Sequence, residues 1–167
     1  EIGILGGSFD PAHKGHLAIS KEARKRFKLK KIIWAITKKN PLKALSKTTV
    51  SKRIKDCKKL IGSNTFIKVK FYEDTINSNK TIDLINYLKK NKKLEIFFLM
   101  GADNLISFHK WHKSKLITEK CNIIVFDRHG YKKNSLKSKT FKKLNNKTLT
   151  FVKFKKVNIS SSQLRKI

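Results

Sequence analysis

The segment G-G-S-F-D-P-A-H-K-G-H, residues 6–16, indicates the fold of this chain more clearly than any other stretch. It follows a short apolar run at residues 2–5, typical of a buried strand, and precedes apolar residues at helical spacing within residues 17–27. We therefore expect a strand, a glycine-rich turn and a helix. Gly6 and Gly7 carry no side chains that would keep the backbone from a ligand, and a helix N-terminus presents unpaired N–H groups and a partial positive charge. Such a turn is suited to binding phosphate.

Two histidines, His13 and His16, lie three residues apart in this segment. If the helix has begun by His13, they stand on one face of it, one turn apart. Two imidazoles beside an anion-binding turn can donate hydrogen bonds to phosphate oxygens. Paired histidines at this spacing are also typical of zinc sites, but no third ligand at a suitable spacing follows. We therefore favour phosphate recognition and keep zinc as the weaker alternative.

Beyond this segment, short apolar runs alternate with residues at helical spacing. Strands are predicted at residues 31–36, 66–71, 94–100, 122–126 and 149–154, and helices around residues 50–61, 82–88 and 103–118. This alternation predicts an α/β fold with a Rossmann-like, doubly wound, mostly parallel sheet that is covered on both faces. A length of 167 residues suits a single domain, residues 1–167.

The polar motifs follow the predicted strands. Residues 6–16, 38–43, 101–103 and 160–165 come after the first, second, fourth and last strands. In a doubly wound sheet, the ligand crevice lies outside the carboxyl ends of the strands, near the point where the strand order reverses. We therefore expect these four segments to meet in one site.

The formal net charge of +30 is extreme, and residues 128–167 contain thirteen lysines and arginines and no acidic residue. Such a charge would ordinarily indicate a nucleic-acid or anionic-membrane partner. An AT-rich genome, which encodes much lysine, or a need to attract polyanionic substrates would explain it equally well. Because the aromatic and basic signatures of nucleic-acid modules are missing, we expect no nucleic-acid partner.

The apolar runs and the two cysteines bear on the cellular location. The longest apolar runs fall well short of the ~20 residues that cross a bilayer, so we expect a soluble protein without a membrane partner. Cys57 and Cys121 lie far apart in apolar stretches, which favours free thiols in a reducing compartment, the cytoplasm.

The segment His13-Lys14-Gly15-His16 resembles the H-x-G-H signature of the nucleotidyltransferase superfamily, preceded by the G-G-S-F-D-P form of the nicotinate-nucleotide adenylyltransferases. Residues 158–165, N-I-S-S-S-Q-L-R, resemble the second signature of that family, I-S-S-T-x-I-R. Residues 101–111 resemble its G-x-D-x-L-x-x-F-x-x-W segment, and residues 40–43 its proline-containing loop that ends in a basic residue. The likeness spans almost the whole chain and implies the nucleotidyltransferase fold.

The chain also departs from this family in three places. Residues 78–81 read S-N-K-T where the family usually has S-Y-T. A second aromatic residue that often closes the tryptophan segment is absent, with His112 following Trp111 and Lys115 further on. Members continue past the second signature into a further helix. Because the sequence also starts at Glu1 without methionine, we expect additional residues at both ends.

The resemblance implies an adenylyltransferase that joins ATP to nicotinate mononucleotide and releases pyrophosphate, with Mg²⁺ bound with ATP. The attacking phosphate is already ionised, so no general base is required. Two alternatives stay open: the same reaction on another acceptor, nicotinamide mononucleotide or phosphopantetheine, and a non-catalytic basic module that binds nucleic acid. The sequence does not predict the oligomeric state.

The expected site residues fall into three groups. The catalytic residues are His13, His16 and Arg165. ATP would be bound by Gly6, Gly7, Ser8, Phe9, Asp103, Ser160, Ser161, Ser162 and Arg165, and the acceptor by Lys43, Thr81 and Trp111. For several of them a plainer role competes: Asp103 and the serines as helix caps, and Trp111 as a core aromatic residue. No metal site is predicted on the protein itself.

Overall fold

The computed structural model describes residues 1–38, 49–90, 93–127 and 149–152, apart from the side chains of Asp103 and Ile106. These residues form, in chain order, β1 (Ile2–Gly7), α1 (Lys14–Phe27), β2 (Lys31–Ile36), α2 (Val50–Ile61), β3 (Ile67–Lys70), α3 (Glu73–Ile76), α4 (Thr81–Leu88), β4 (Ile96–Gly101), α5 (Ala102–Ser107), a 3₁₀ turn (Phe108–Lys110), α6 (Ser114–Lys120), β5 (Asn122–Phe126) and β6 (Leu149–Val152). Among them, no helix is both long and apolar enough to cross a membrane.

The six described strands form one sheet in the order β3-β2-β1-β4-β5-β6, and every neighbouring pair is parallel. The predicted α/β, doubly wound sheet is therefore confirmed. The chain moves outward from β1 to β3 and then crosses back to β4 on the other side of β1. The strand order thus reverses between β1 and β4, where such folds open their ligand crevice.

Alternating residues of the strands supply two apolar cores, one on each face of the sheet. On one face, Ile4 and Phe98 pack with residues of α4, α5 and α6. On the other, Leu5 and Trp34 pack with residues of α1 and α2. Gly3 lies where a methyl group would come within 2.7 Å of Ile32 Cδ1, so a larger residue there would require the buried side chain of Ile32 to shift.

The structure corrects four details of the sequence-based interpretation. Gly6 and Gly7 belong to β1, pairing with Ala35 and Ile36 of β2, and the turn starts only at Ser8. Helix α1 begins at Lys14, so His13 precedes it instead of lying within it. The short helix α3 was not predicted. The spacing of apolar residues predicts Val50, Ile54, Cys57 and Ile61 as the buried face of α2, but the buried side chains are Arg53, Cys57 and Ile61, and Val50 and Ile54 are half-buried.

Candidate active site

A crevice begins where β1 and β4 stop pairing. Their register ends at Leu5 opposite Leu99, although each strand continues for two more residues. Gly6 and Gly7 continue pairing with β2, while Met100 and Gly101 pair with β5. The two halves of the sheet therefore diverge at their carboxyl ends, and the segments after β1 and β4 border the opening.

Residues 8–16, which we term the histidine turn, connect β1 to α1. His13 is the N-cap of α1, and its Nδ1 accepts a hydrogen bond from Gly15 N at 3.0 Å. His16 in the first turn of α1 reaches back, and its Nδ1 accepts from His13 N, also at 3.0 Å. The ring centroids are 3.9 Å apart. The two imidazoles thus form a reciprocal capping box, in which Ser or Thr with Glu or Gln is the usual pair.

These hydrogen bonds fix the tautomer of both rings. A neutral imidazole whose Nδ1 accepts a hydrogen bond carries its proton on Nε2, so each ring is a donor at that atom. His13 is buried and its Nε2 is shielded from solvent, whereas His16 is partly exposed. Of the two, His16 is the ring that a ligand reaches more readily. The geometry suits donation to an anionic oxygen, and it occupies the Nδ1 lone pairs that a metal ion would otherwise use.

Aromatic and polar neighbours in the core hold the histidine turn in place. Phe9, at a left-handed φ of 51°, stacks on Trp34 with centroids 5.1 Å apart and lies 4.6 Å from the His16 ring. Trp34 Nε1 donates to Ser20 Oγ at 2.8 Å, and Ser20 Oγ donates to His16 O at 2.8 Å. Trp34 and Ser20 are fully buried. The carbonyl of His16 is therefore connected to the core of the sheet by a chain of hydrogen bonds.

Arg53 is a buried residue that sequence analysis missed. It is 2% exposed, and its guanidinium donates to four backbone carbonyls: Ser8 O at 2.8 Å, Thr37 O at 2.7 Å, Lys38 O at 3.3 Å and Thr49 O at 3.4 Å. Burial lowers the pKa of Arg53, while the negative charges of Asp10 and Glu73 oppose that shift. Its spacing could have indicated its burial, because it lies four residues before Cys57 on the buried face of α2. Among 41 lysines and arginines, that signal is easily overlooked.

A pocket lies beside the crevice, between the carboxyl ends of β1, β2 and β4 and the segment that leads into α4. Its empty space is about 400 Å³ when the open solvent at its mouth is included. Its lining includes Gly6, Thr37, Tyr72, Lys80, Thr81 and Phe98. We call it the strand-exit pocket. A lining that combines apolar and polar side chains is typical of a site for a small organic ligand.

The expected site residues divide by where they lie. The structure brings Gly6, Gly7, Ser8, Phe9, His13 and His16 together around the end of β1, with Thr81 in the strand-exit pocket beside them. Asp103 lies in α5 directly after β4, although its side chain is not described. Lys43, Ser160, Ser161, Ser162 and Arg165 lie outside the described residues.

Trp111 packs in the core behind the strand-exit pocket. It meets Phe98 edge-on at 5.9 Å between centroids and Phe108 at 5.1 Å, and it is half-buried. Trp111 is absent from the described lining of the pocket, but Phe98 lines the pocket and also contacts Trp111. The tryptophan thus shapes the pocket through Phe98 in this structure.

A metal ion bound by the protein needs several His, Cys, Asp or Glu side chains close together. In the part of the chain that the structure describes, no group of three or more His, Cys, Asp or Glu side chains is placed to hold a metal.

Known proteins resemble this chain along its whole length. A family model for cytidylyltransferase-like proteins matches residues 4–167. A probable nicotinate-nucleotide adenylyltransferase from Pelagibacter ubique (strain HTCC1062) is 68% identical over all of this chain and 93% of its own length. Another, from Clostridium botulinum (strain Eklund 17B / Type B), is 35% identical over 98% of this chain and 84% of its own.

A solved structure supports the fold. The Plasmodium falciparum nicotinic acid mononucleotide adenylyltransferase, in complex with NaAD, aligns with a TM-score of 0.76 at 22% identity. The alignment covers 99% of this chain and 82% of that one. At this level of identity, the match establishes the shared sheet topology.

Proposed function

Because this chain belongs to the cytidylyltransferase-like family and, within it, to the nicotinate-nucleotide adenylyltransferases, we propose that it joins ATP to nicotinate mononucleotide in NAD biosynthesis. The products would be deamido-NAD and pyrophosphate. The observation that carries this proposal is the histidine pair: two imidazoles held at a helix start, with Nδ1 of each occupied by the backbone and a proton on Nε2. This arrangement donates hydrogen bonds to phosphate without acting as a base.

The reaction follows from these groups. A phosphate oxygen of nicotinate mononucleotide, already ionised, attacks the α-phosphorus of ATP, and a new P–O bond forms. The bond from the α-phosphorus to the bridging oxygen breaks, and pyrophosphate leaves with the electron pair. Catalysis then depends on holding two anions in line and on stabilising charge on the phosphoryl oxygens. We assign that stabilisation to Nε2–H of His16 and of His13, with the larger effect at His16.

The remaining ATP contacts are assigned from position and from family membership. Gly6 and Gly7 fit close approach of a ligand, since an added methyl group would meet protein atoms only at 3.7 Å and 3.6 Å, which is ordinary contact. The protein itself therefore tolerates alanine there, and a ligand is the better reason for glycine. Ser8 and Phe9 would supply backbone at the same turn. Asp103 would contact a ribose hydroxyl.

The second family signature, which lies outside the described residues, would complete the ATP site. Ser160, Ser161 and Ser162 would surround the phosphates at a helix start, and Arg165 would bind the β- or γ-phosphate as a catalytic cation. Magnesium would arrive bound with ATP, where it neutralises phosphate charge. The lack of a three-residue metal cluster among the described side chains suits an ion held by the nucleotide.

The acceptor would occupy the strand-exit pocket. Thr81 begins α4 in the pocket lining, where backbone N–H groups of the first turn would receive the nicotinate carboxylate. Lys43 would meet the phosphate of the nucleotide. Trp111 would stack on the pyridine ring or, as its contact with Phe98 suggests, shape the wall against which the ring packs.

The cysteines support a cytoplasmic location. Cys57 and Cys121 are free and buried, and burial raises the pKa of each thiol to about 12. Such thiols are poorly reactive and need no oxidising compartment. The proposed substrates, ATP and nicotinate mononucleotide, are metabolites that a cytoplasmic enzyme meets.

The test is turnover by the purified protein with ATP and magnesium and one acceptor at a time: nicotinate mononucleotide, nicotinamide mononucleotide or phosphopantetheine. Pyrophosphate release and identification of the dinucleotide product are measured, with His16→Asn as the matched control. We expect preferential turnover of the nicotinate compound by the unaltered protein. Turnover of another acceptor alone would overturn the pocket assignment, and silence with all three, from protein that unfolds cooperatively, would overturn the function.

A further inference from the structure

Arg53 lies outside the crevice, yet most of its hydrogen bonds go to the backbone that borders it. A guanidinium carries five N–H donors and stays charged when buried, so it must be paired. Three of its four carbonyl partners, Ser8, Thr37 and Lys38, stand directly after the ends of β1 and β2. The apolar contacts of the buried face of α2 come from Cys57 and Ile61.

The three carbonyls belong to two turns that other contacts also connect. Thr37 N donates to Gly7 O at 2.8 Å. Lys38 N donates to Glu73 Oε1 at 2.8 Å, while Lys38 O accepts from Arg53. The backbone of Lys38 is therefore held through both its N–H and its carbonyl group. Arg53 Nη1 alone spans from the turn after β1 to the turn after β2.

The charges around the guanidinium favour its staying in place. Asp10 of the histidine turn is 5% exposed, and its negative charge acts on Arg53 together with that of half-buried Glu73. A buried cation that donates to four backbone carbonyls has few alternative positions, because leaving these groups unpaired in the interior is costly. The arrangement is rigid where the two turns meet.

We propose that Arg53 is a positioning residue that fixes the turn after β1 relative to the turn after β2, and through them the alignment of the two reacting phosphates. The proposal rests on the proposed function, which places ATP at the first turn and the acceptor beside the second. Because Arg53 is 2% exposed, it would itself touch neither substrate. A shift of 1 Å in such an alignment lowers the rate about a hundredfold, even when each substrate still binds.

The test compares Arg53→Met, which keeps the length of the side chain but removes its donors, with Arg53→Lys and with Cys57→Ala. Cys57, fully buried one turn further along α2, provides the matched control for a purely structural loss. We expect Arg53→Met to lower kcat about a hundredfold while the Kd of each substrate, measured singly, changes little. Arg53→Lys, with three donors, should fall between, and Cys57→Ala should lower the Tm without lowering kcat.

Chemical rescue and hydrogen exchange make the result specific. Guanidinium added at millimolar concentration should restore part of the kcat of Arg53→Ala, whereas ammonium should not. Independently of activity, amide exchange at residues 7–9 and 37–38 should accelerate in Arg53→Lys and stay unchanged in Cys57→Ala. Unchanged exchange in both turns, or a kcat equal to that of Cys57→Ala, would overturn the proposal. If amide exchange in the two turns changes in Arg53→Lys but the unaltered protein is inactive with every acceptor, Arg53 still positions the turns and the proposed function is wrong.

Discussion

The histidine turn and the strand-exit pocket lie side by side at the carboxyl edge of the sheet, but the fold holds their polar groups very differently. In the histidine turn, backbone N–H groups occupy Nδ1 of both imidazoles, and buried aromatic side chains pack beneath them. In the pocket, Lys80 is exposed, and among the described contacts its side chain does not cap α4.

This difference suggests a division of labour. Groups fixed before the substrate arrives need no reorganisation during the reaction, which is how enzymes stabilise developing charge most effectively. Groups left open at a helix start can be satisfied by the ligand itself and so contribute to choosing it. We therefore expect substitutions in the histidine turn to lower kcat, and substitutions around the strand-exit pocket to change the KM of the acceptor.

The largest effect is expected at His16. In His16→Asn, the amide oxygen can still accept from His13 N, but the donor at Nε2 is lost. We expect kcat to fall about 10²- to 10³-fold, the loss typical of removing one donor to a transition state, with a Tm close to that of the unaltered protein. Steady-state kinetics and thermal unfolding measure both. His16→Gln, whose amide nitrogen reaches towards the Nε2 position, should retain more activity. Equal Tm losses in both variants with unchanged kcat would assign His16 to capping alone.

Substitutions of Ser20 and Trp34, which support the histidine turn, should lower the free energy of unfolding more than the kcat. Ser20→Ala removes the acceptor of the buried Trp34 Nε1–H, and an unsatisfied buried donor costs about 1–3 kcal/mol of unfolding free energy. Trp34→Phe removes the donor instead. The double variant should be more stable than the sum of the two losses predicts, as urea unfolding in a double-mutant cycle would show. Strict additivity would mean that this hydrogen bond contributes nothing.

Much of the fold is predictable because both faces of a parallel sheet are buried. The strands at residues 31–36 and 122–126 stand out as continuous apolar runs and match β2 and β5 at both ends. Two features of the fold, the end of β1 and helix α3, could not be predicted from the apolar pattern. Gly6 and Gly7 extend β1 without adding apolar side chains, and α3 has four residues, none of them buried, so it has no periodicity to detect.

The candidate site was only partly visible in the sequence. The two histidines are evident from their spacing and neighbours, and the structure places them at the end of β1 as expected. Their reciprocal capping depends on side-chain rotamers and on where α1 begins, which spacing alone does not determine. Arg53 was hidden for a different reason: its role depends on carbonyls up to 45 residues away in sequence, which come within reach only when the sheet has formed.

A smaller effect is expected at Trp111, on the pocket side of the comparison. Trp111→Ala should raise the KM of nicotinate mononucleotide about fivefold, since one aromatic contact is worth roughly 1 kcal/mol, and leave the KM of ATP nearly unchanged. Phe108→Leu, at its buried neighbour, is the control and should lower the Tm without separating the two KM values. If Trp111→Ala raises both KM values equally, the tryptophan serves packing, and acceptor recognition lies elsewhere.

The smallest effect is expected at the start of α2, which has an ordinary cap. Thr49 Oγ1 accepts from Lys52 N at 3.2 Å, so Thr49→Ala should cost about 1 kcal/mol of unfolding free energy, and Thr49→Ser much less. The kcat should stay unchanged, because the carbonyl of Thr49 that pairs with Arg53 remains. Urea unfolding measures the loss of unfolding free energy, and steady-state kinetics of the same preparations measure the kcat. A fall in kcat would mean that the start of α2 moves the Arg53 guanidinium, and the rigid region of the crevice would then extend from the histidine turn into α2.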